Sequence, residues 1–288
     1  MQEFGKIAFL GMGLINSSLA RDLKKKKLCK ELVATSRSKK TRNIVRRLKL
    51  VDAVYDTYEN TVRGADLIVI GIPVDAYEGV FKKINKHLKS GAIITDVGSV
   101  KQEVIKKIGK IIPKSAIFIP GHPIAGTENS GPEAGLHGLF KNAWCILTPS
   151  KQTNSAAVEL VKKLWLSVGM KVDIMDPVYH DKILAITSHI PHLVAYSIVG
   201  TVSNLEKSIK KEVIKYAASG FRDFTRIAAS DPIMWRDILL LNSKSVLQML
   251  KIFKKDLSTI ESAIKKKDGK FLYSLFSKTR KIRKDIIS

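Results

Sequence analysis

Only two cysteines occur in the 288 residues, Cys29 and Cys145, and neither has a neighbouring partner in sequence. Two isolated thiols make no disulfide framework and no cysteine-rich zinc site, and they fit a reducing compartment, so the chain is expected in the cytoplasm. No charged leader with a small-residue cleavage site precedes the first apolar run, and no signal peptide is expected. The longest apolar window, residues 183–202, is interrupted by His189, Pro191 and His192. Two imidazoles and a proline disfavour a membrane span and predict a buried helix instead. Acidic residues are scarce as well: 26 Asp and Glu stand against 50 Lys and Arg, a formal net charge of +24. Such an excess invites a nucleic-acid partner. However, 39 of the 50 basic residues are lysines spread through nearly every segment, and no aromatics alternate with them as on a base-stacking platform. The charge therefore reads as a solvated lysine-rich surface that also attracts an anionic substrate, with no nucleic-acid partner expected. Internal repeats and low-complexity linkers are absent too.

What is present is an apolar fraction of 45%, enough for one large domain or two ordinary ones with real cores. Residues 4–10 read as a short buried strand. Gly11-Met12-Gly13-Leu14-Ile15-Asn16 follows, and then a helix start. In that order Gly11 permits a tight turn, Gly13 lets the backbone approach a pyrophosphate, and the helix N-terminus offers unpaired N–H groups to the anion. Asn16 stands where the fingerprint has its third glycine, the one that allows close helix–strand packing. The helix is therefore expected to sit slightly further out. A second strand, residues 32–36, ends in Ser36-Arg37-Ser38 with no acid among residues 35–40. A free ribose 2′-hydroxyl usually meets an Asp or Glu at this place, and a 2′-phosphate prefers Arg and Ser. The pattern leans to NADP, while Arg37 as a plain surface residue stays open.

Further strands are expected at residues 66–71, 92–96, 117–120, 144–148 and 171–175, with helices at 75–87 and 155–168. Ser99 follows one strand as a candidate helix N-cap, and it also lies at the carboxyl edge of the sheet, where ligands bind. Residues 121–131 carry Gly121, Gly126 and Gly131, which predicts a loop rather than a regular element. Pro123 restrains His122 to extended geometry. A held histidine is either a turn residue or an acid–base group. Convergence of the Gly11–Gly13 turn, Ser99 and His122 on one sheet edge favours chemistry. After residue 175 only helical periods continue, which predicts a helical second part with a partner surface. Within it, Ser188-His189-Ile190-Pro191-His192 spaces two imidazoles three apart, to be read as core packing or substrate contact more readily than as a metal pair. Residues 220–226 are expected as a glycine-led loop carrying Arg222 and Arg226, two guanidiniums suited to carboxylates.

Read in order, these stretches resemble the prephenate dehydrogenase family, the TyrA class, in its short single-function form. The resemblance rests on Gly11-Met12-Gly13-Leu14-Ile15 with Ser18-Leu19-Ala20, on Asp96-Val97-Gly98-Ser99-Val100-Lys101, on Gly121-His122-Pro123-Ile124-Ala125-Gly126-Thr127-Glu128 with Ser130-Gly131, on Ser188 to His192, and on Gly220-Phe221 through Trp235-Arg236-Asp237. The first stretch is generic to dinucleotide enzymes; the third and fifth are specific. The resemblance implies an α/β fold: a Rossmann-type doubly wound nucleotide-binding domain, residues 1–175, followed by an all-helical dimerisation domain, residues 176–288. It also implies oxidative decarboxylation of prephenate to 4-hydroxyphenylpyruvate with hydride transfer to NAD or NADP, in tyrosine biosynthesis, by a homodimer that needs no metal. His122 matches the catalytic histidine that takes the C4 hydroxyl proton, and Ser99 the serine near that hydroxyl. His192, with His189, matches the substrate-side histidine motif. Arg226 matches an arginine holding a substrate carboxylate, Arg222 sits where the pattern is looser, and Trp235 matches a tryptophan near the pocket. Gly11, Gly13, Leu14 and Ile15 fall on the cofactor turn, with Ser36 and Arg37 at the ribose.

The chain lacks the length for a fused chorismate mutase or a regulatory domain, so neither activity is expected. The rivals are arogenate dehydrogenase, which needs an acid for the substrate ammonium (Glu128 and Asp223 are candidates), a 3-hydroxyacid dehydrogenase, and a basic nucleic-acid-binding protein.

Overall fold

The computed structural model describes residues 4–287, with Lys207, Ser208, Lys210, Ile214 and Ile287 described by backbone alone. A six-stranded sheet is built from β1 (Phe4–Leu10), β2 (Cys29–Thr35), β3 (Ala53–Val54), β4 (Leu67–Ile70), β5 (Ile93–Asp96) and β6 (Ile117–Ile119). All pairs are parallel and the order is β3-β2-β1-β4-β5-β6. The reversal of direction at β1 creates the crevice in which open α/β sheets bind ligands. The helices α1 (Leu14–Lys26), α2 (Lys39–Arg47), α3 (Tyr58–Val62), α4 (Tyr77–Ile84) and α5 (Gln102–Ile108) connect these strands.

The sheet is covered on both faces, which is why its central strands read as continuous apolar runs. Along β1 the side chains alternate: Ile7 and Phe9 join the core with Leu19, Leu23 and Trp165, while Ala8 and Leu10 join the core with Tyr77, Phe81 and Val104. Trp235 and Ile238 also belong to the second of these cores. Helix ends follow local chemistry. Ser38 and Thr57 cap α2 and α3 by accepting from Thr41 and Asn60 N–H, and Lys24, Lys25 and Lys26 occupy the last turn of α1, where cations complement the dipole.

A second, three-stranded sheet contains β7 (Gly121–Ile124), β8 (Trp144–Leu147) and β9 (Lys171–Ile174), with α6 (Ser155–Ser167) between the last two. Here the structure corrects the expectation of an irregular loop, because residues 121–124 form a strand antiparallel to β8, with His122 opposite Ile146. The extended geometry that Pro123 imposes on His122 is strand geometry, and a proline is tolerated because β7 is an edge strand.

From here the chain is helical: α7 (Pro177–Leu184), a wide π-type turn (Ala185–His189), α8 (Ile190–Ser203), α9 (Lys207–Lys215), α10 (Ser219–Thr225) and α11 (Pro232–Leu241). The expected glycine-led loop at 220–226 is a helix running into a 3₁₀ turn, Arg226–Ala229. The expected buried helix differs as well. The segment Pro177–Ser203 is long and apolar enough to cross a membrane by length and composition, yet only 28% of its apolar window is buried. Ile186, Ile198 and Val199 are exposed along it. The chain divides into two compact units, Met1–Asn242 and Ser243–Ser288. The second unit holds α12 (Ser243–Lys265) and α13 (Gly269–Ile287), joined by a turn in which Lys267 takes a φ of 51°.

Candidate active site

The turn after β1 has the shape a pyrophosphate cradle requires. Gly11 takes a φ of +85°, and a Cβ there would lie 2.4 Å from the Gly71 carbonyl oxygen, so only glycine fits. A Cβ on Gly13 would meet nothing within 4 Å; its backbone faces open space at the head of α1. Leu14 and Ile15 open that helix, whose first turn carries no acid, so its N–H groups suit an anion. Asn16 is buried, and the strand side supplies its room: a Cβ on Gly71 would lie 2.5 Å from Asn16 Nδ2, which instead donates to the Gly11 carbonyl at 2.7 Å. Ser36 accepts the Met12 N–H at 2.9 Å and so braces the turn. Arg37 is exposed and no described group pairs with it. Arg42 donates to the Ser36 and Arg37 carbonyls and pairs with Asp56, which also binds Arg46. Among the described residues no carboxylate is therefore free at the end of β2.

His122, 7% exposed, leaves the carboxyl edge of the sheet on β7. Both peptide groups of its predecessor are fixed by a fully buried ion pair. Asp96 Oδ1 accepts from Gly121 N–H at 3.1 Å, Lys101 Nζ donates to Gly121 O at 2.7 Å, and Lys101 Nζ meets Asp96 Oδ2 at 2.5 Å. Gly98 N–H, immediately before Ser99, also donates to Asp96 Oδ2 at 3.0 Å. The His122 ring is held separately, with Nδ1 2.9 Å from His180 Nε2. His180 Nδ1 lies 2.8 Å from Asp181 Oδ1. Burial, with the neighbouring His180, Lys101 and His189, drives His122 well below the ordinary histidine range and keeps it neutral. Burial would raise Asp181, but hydrogen bonds from His180 and from the Lys101 and Gln102 N–H groups outweigh it and hold the carboxylate ionised. Those two N–H groups stand at the head of α5, so the residue serving that helix end is Asp181 and not Ser99. The Ser99 hydroxyl has no hydrogen-bond partner among the described residues.

A second cluster comes from the helical segment. His192 stacks on Trp235 with ring centroids 3.5 Å apart and planes 19° apart, and His189 meets the same indole edge-on at 6.1 Å. His192 Nδ1 donates to the Ser188 carbonyl at 2.9 Å. Burial lowers both histidines, His189 to about 4. Asn242 Nδ2 lies 3.1 Å from His189 Nδ1 and donates to the Asp181 carbonyl at 2.7 Å; His189 Nε2 is buried and has no partner. Arg226 pairs with Glu128 at 2.8 Å and acts electrostatically on His192. Arg222 is exposed one helical turn earlier. No group of three His, Cys, Asp or Glu among the described residues could hold a metal.

The structure thus joins His122 to His189 through His180, Asp181 and Asn242, and groups His192, Trp235 and Arg226. Sequence reading missed His180, Asp181, Lys101 and Asn242. The available signal was an adjacent His-Asp pair one turn inside the helix Pro177–Leu184, and a lysine ending the Asp96-to-Lys101 stretch.

The family model for "Prephenate dehydrogenase, nucleotide-binding domain" matches residues 19–174, and that for "Prephenate dehydrogenase, dimerization domain" matches residues 176–278. The chain is 40% identical to the cyclohexadienyl dehydrogenase of Zymomonas mobilis, over 98% of this chain and 96% of that one. It is 34% identical to the prephenate dehydrogenase of Bacillus subtilis, over 96% of this chain and 75% of that one. Among solved structures, Aquifex aeolicus prephenate dehydrogenase in complex with hydroxyphenyl propionate and NAD+ gives a TM-score of 0.90 at 32% identity, covering 98% of both chains. Synechocystis arogenate dehydrogenase gives 0.81 at 28% identity, covering 97% of this chain and 99% of that one.

Proposed function

This chain belongs to the prephenate dehydrogenase family, and from that premise we propose that it oxidatively decarboxylates prephenate to 4-hydroxyphenylpyruvate, with His122 as the proton acceptor. One observation carries the assignment: a buried, neutral histidine at the sheet edge has Nδ1 engaged at 2.9 Å by His180, and no described group engages Nε2. A neutral imidazole with one free nitrogen is the form a general base needs. His122 Nε2 takes the C4 hydroxyl proton as the C4 hydride departs and the ring carboxylate leaves as CO2. It returns that proton to the phenolate oxygen, so no net proton is released. Ser99, with its hydroxyl uncommitted, orients the C4 oxygen. Arg226 holds a substrate carboxylate, with Arg222 as the second cation of that face, and His189, His192 and Trp235 form the wall against which the ring is set. A nicotinamide cofactor held by Gly11, Gly13, Leu14 and Ile15 supplies the hydride acceptor.

Finer points follow the same reading. The unpaired Arg37 beside Ser36, without a free carboxylate on β2, favours NADP over NAD. Glu128, an acid suited to the ammonium of arogenate, pairs with Arg226; a substrate carboxylate on Arg226 would take the place of Glu128, and arogenate is the second reading, separated from prephenate by the substrate arms of the test. The functional division falls near residue 175. The exposed apolar side chains Ile198 and Val199 of α8 support a homodimer, and the enzyme works in the cytoplasm. The test is absorbance of the reduced nicotinamide with prephenate or arogenate, each paired with NAD or NADP. Prephenate with NADP is expected to turn over fastest, and the reaction is rejected if no pair turns over. His122→Asn should lose on the order of 10²–10⁴-fold in kcat while binding cofactor as tightly as wild type.

A further inference from the structure

The described residues around His122 leave the hydrogen on its Nδ1 contact determinable by elimination. Asp181 is acceptor-only, and four donors converge on it: His180 Nδ1, Lys101 N–H at 2.9 Å, Gln102 N–H at 3.0 Å and Gln102 Nε2 at 3.1 Å. Facing a carboxylate, His180 Nδ1 must carry its proton. Burial and the nearby Lys101 ammonium disfavour a cationic His180, against the hydrogen bond it donates to Asp181, which favours one, and the balance lowers it below the ordinary histidine range. A neutral His180 with Nδ1–H has a bare Nε2, which accepts. The hydrogen in the 2.9 Å contact between the two imidazoles therefore belongs to His122 Nδ1.

We propose that His180 and Asp181 are positioning residues that hold His122 in the tautomer with Nδ1 protonated and Nε2 bare. This rests on His122 acting as the base. Without the relay an imidazole prefers its proton on Nε2, the wrong nitrogen for accepting one. The relay also shapes the second half of the reaction. Once His122 is an imidazolium, its Nδ1–H still points at a lone pair, and Asp181 stands behind His180 to stabilise the charge, as an aspartate does behind a catalytic histidine in hydrolases. The other groups facing His122 are the Lys101–Asp96 pair beneath Gly121, Cys145 on β8 and His189 on the π-type turn. None of these offers its ring an acceptor at hydrogen-bond distance. Asp181 has a second task at the head of α5, so His180 is the cleaner handle.

Ring nitrogen shifts of nitrogen-15-labelled histidine report tautomers directly and need no turnover, so they stand even if the substrate assignment fails. His122 is assigned by loss of its signals in His122→Asn. Wild type should show His122 with protonated Nδ1 and bare Nε2 at neutral pH. His180→Leu should move the proton to Nε2 and lower kcat on the order of 10²-fold or more, with KM and cofactor affinity little changed. His180→Gln, whose amide oxygen can accept from Nδ1–H, should restore the tautomer and bring kcat to within about tenfold of wild type. A wild-type His122 protonated on Nε2 overturns the proposal, as does a folded His180→Leu that keeps Nδ1–H. If His180→Leu fails to bind cofactor, the wild-type and His180→Gln spectra decide alone.

Discussion

Neutralising one member of the Asp96–Lys101 pair should cost stability asymmetrically. Both side chains are fully buried, so removing one partner leaves an uncompensated charge in the interior, at about 3–5 kcal/mol. The rest of the network decides where in that range each variant falls. After Lys101→Met, the Asp96 carboxylate keeps three donors: Gly121 N–H at 3.1 Å, Gly98 N–H at 3.0 Å and Tyr77 Oη–H at 3.4 Å. After Asp96→Asn, the Lys101 ammonium keeps one strong acceptor, Gly121 O at 2.7 Å, plus a neutral amide oxygen. Lys101→Met should therefore sit near about 3 kcal/mol and Asp96→Asn near about 5 kcal/mol. The double variant has no orphaned charge and should lose less than the sum, with a coupling of about 2 kcal/mol or more. Turnover should behave differently. Gly121 loses part of its clamp in all three variants, so His122 is less well placed in each, and the double variant recovers stability without recovering kcat. Urea unfolding across the cycle measures the first effect and steady-state kinetics the second. Single variants costing under about 1 kcal/mol, or strictly additive costs, would refute the claim that this pair holds the catalytic strand.

Two further outcomes are expected. Gly71→Ala should destabilise by about 1–3 kcal/mol through overpacking, because its Cβ would lie 2.5 Å from Asn16 Nδ2; adding Asn16→Gly should reverse most of that loss, and additive melting shifts would disprove the pairing. Stability should also fall as pH drops below about 6.5, where an unfolded histidine begins to bind a proton. His189, held near 4 in the fold, does not bind that proton until near that value, so the loss grows by about 1.4 kcal/mol per pH unit across this window, roughly 3 kcal/mol in all. His122, His180 and His192 shift in the same direction. Urea midpoints that do not change between neutral pH and pH ~5 would contradict neutral burial of these rings.

Much of this was legible because it is local. The strand–glycine–helix order at β1, the carboxyl-edge position of Ser99 and His122, and the change to pure helix after β9 all follow from spacing within a few residues. The unread parts are contacts across long stretches of chain: Asp181 to Lys101 spans 80 residues, His122 to His180 spans 58 and Asp96 to Gly121 spans 25. Two glycine-led stretches also misled in the same way. Gly121 and Gly220 favour no loop when a tight approach or a helix start uses them, and at Gly121 a Cβ would be crowded, 3.0 Å from the Asp96 carbonyl oxygen. Asn16 looked like a departure from a pattern until Gly71, 55 positions on in sequence, was seen to complement it.

The π-type turn Ala185–His189 alters what histidine spacing means in this helix. From 180 to 189 an unbroken α-helix turns about 900°, which would place the two imidazoles on opposite faces. A wide turn absorbs one residue and takes about 100° from that rotation. His180 and His189 then stand about 80° apart, close enough for Asn242 to reach both the Asp181 carbonyl and His189 Nδ1. The turn acts as a phase shifter: it lets one end of the segment address the catalytic strand and the other the indole of Trp235. A relative whose helix runs straight through this region would have to carry its second histidine one position earlier, so sequence alignment alone would place the two histidines out of register.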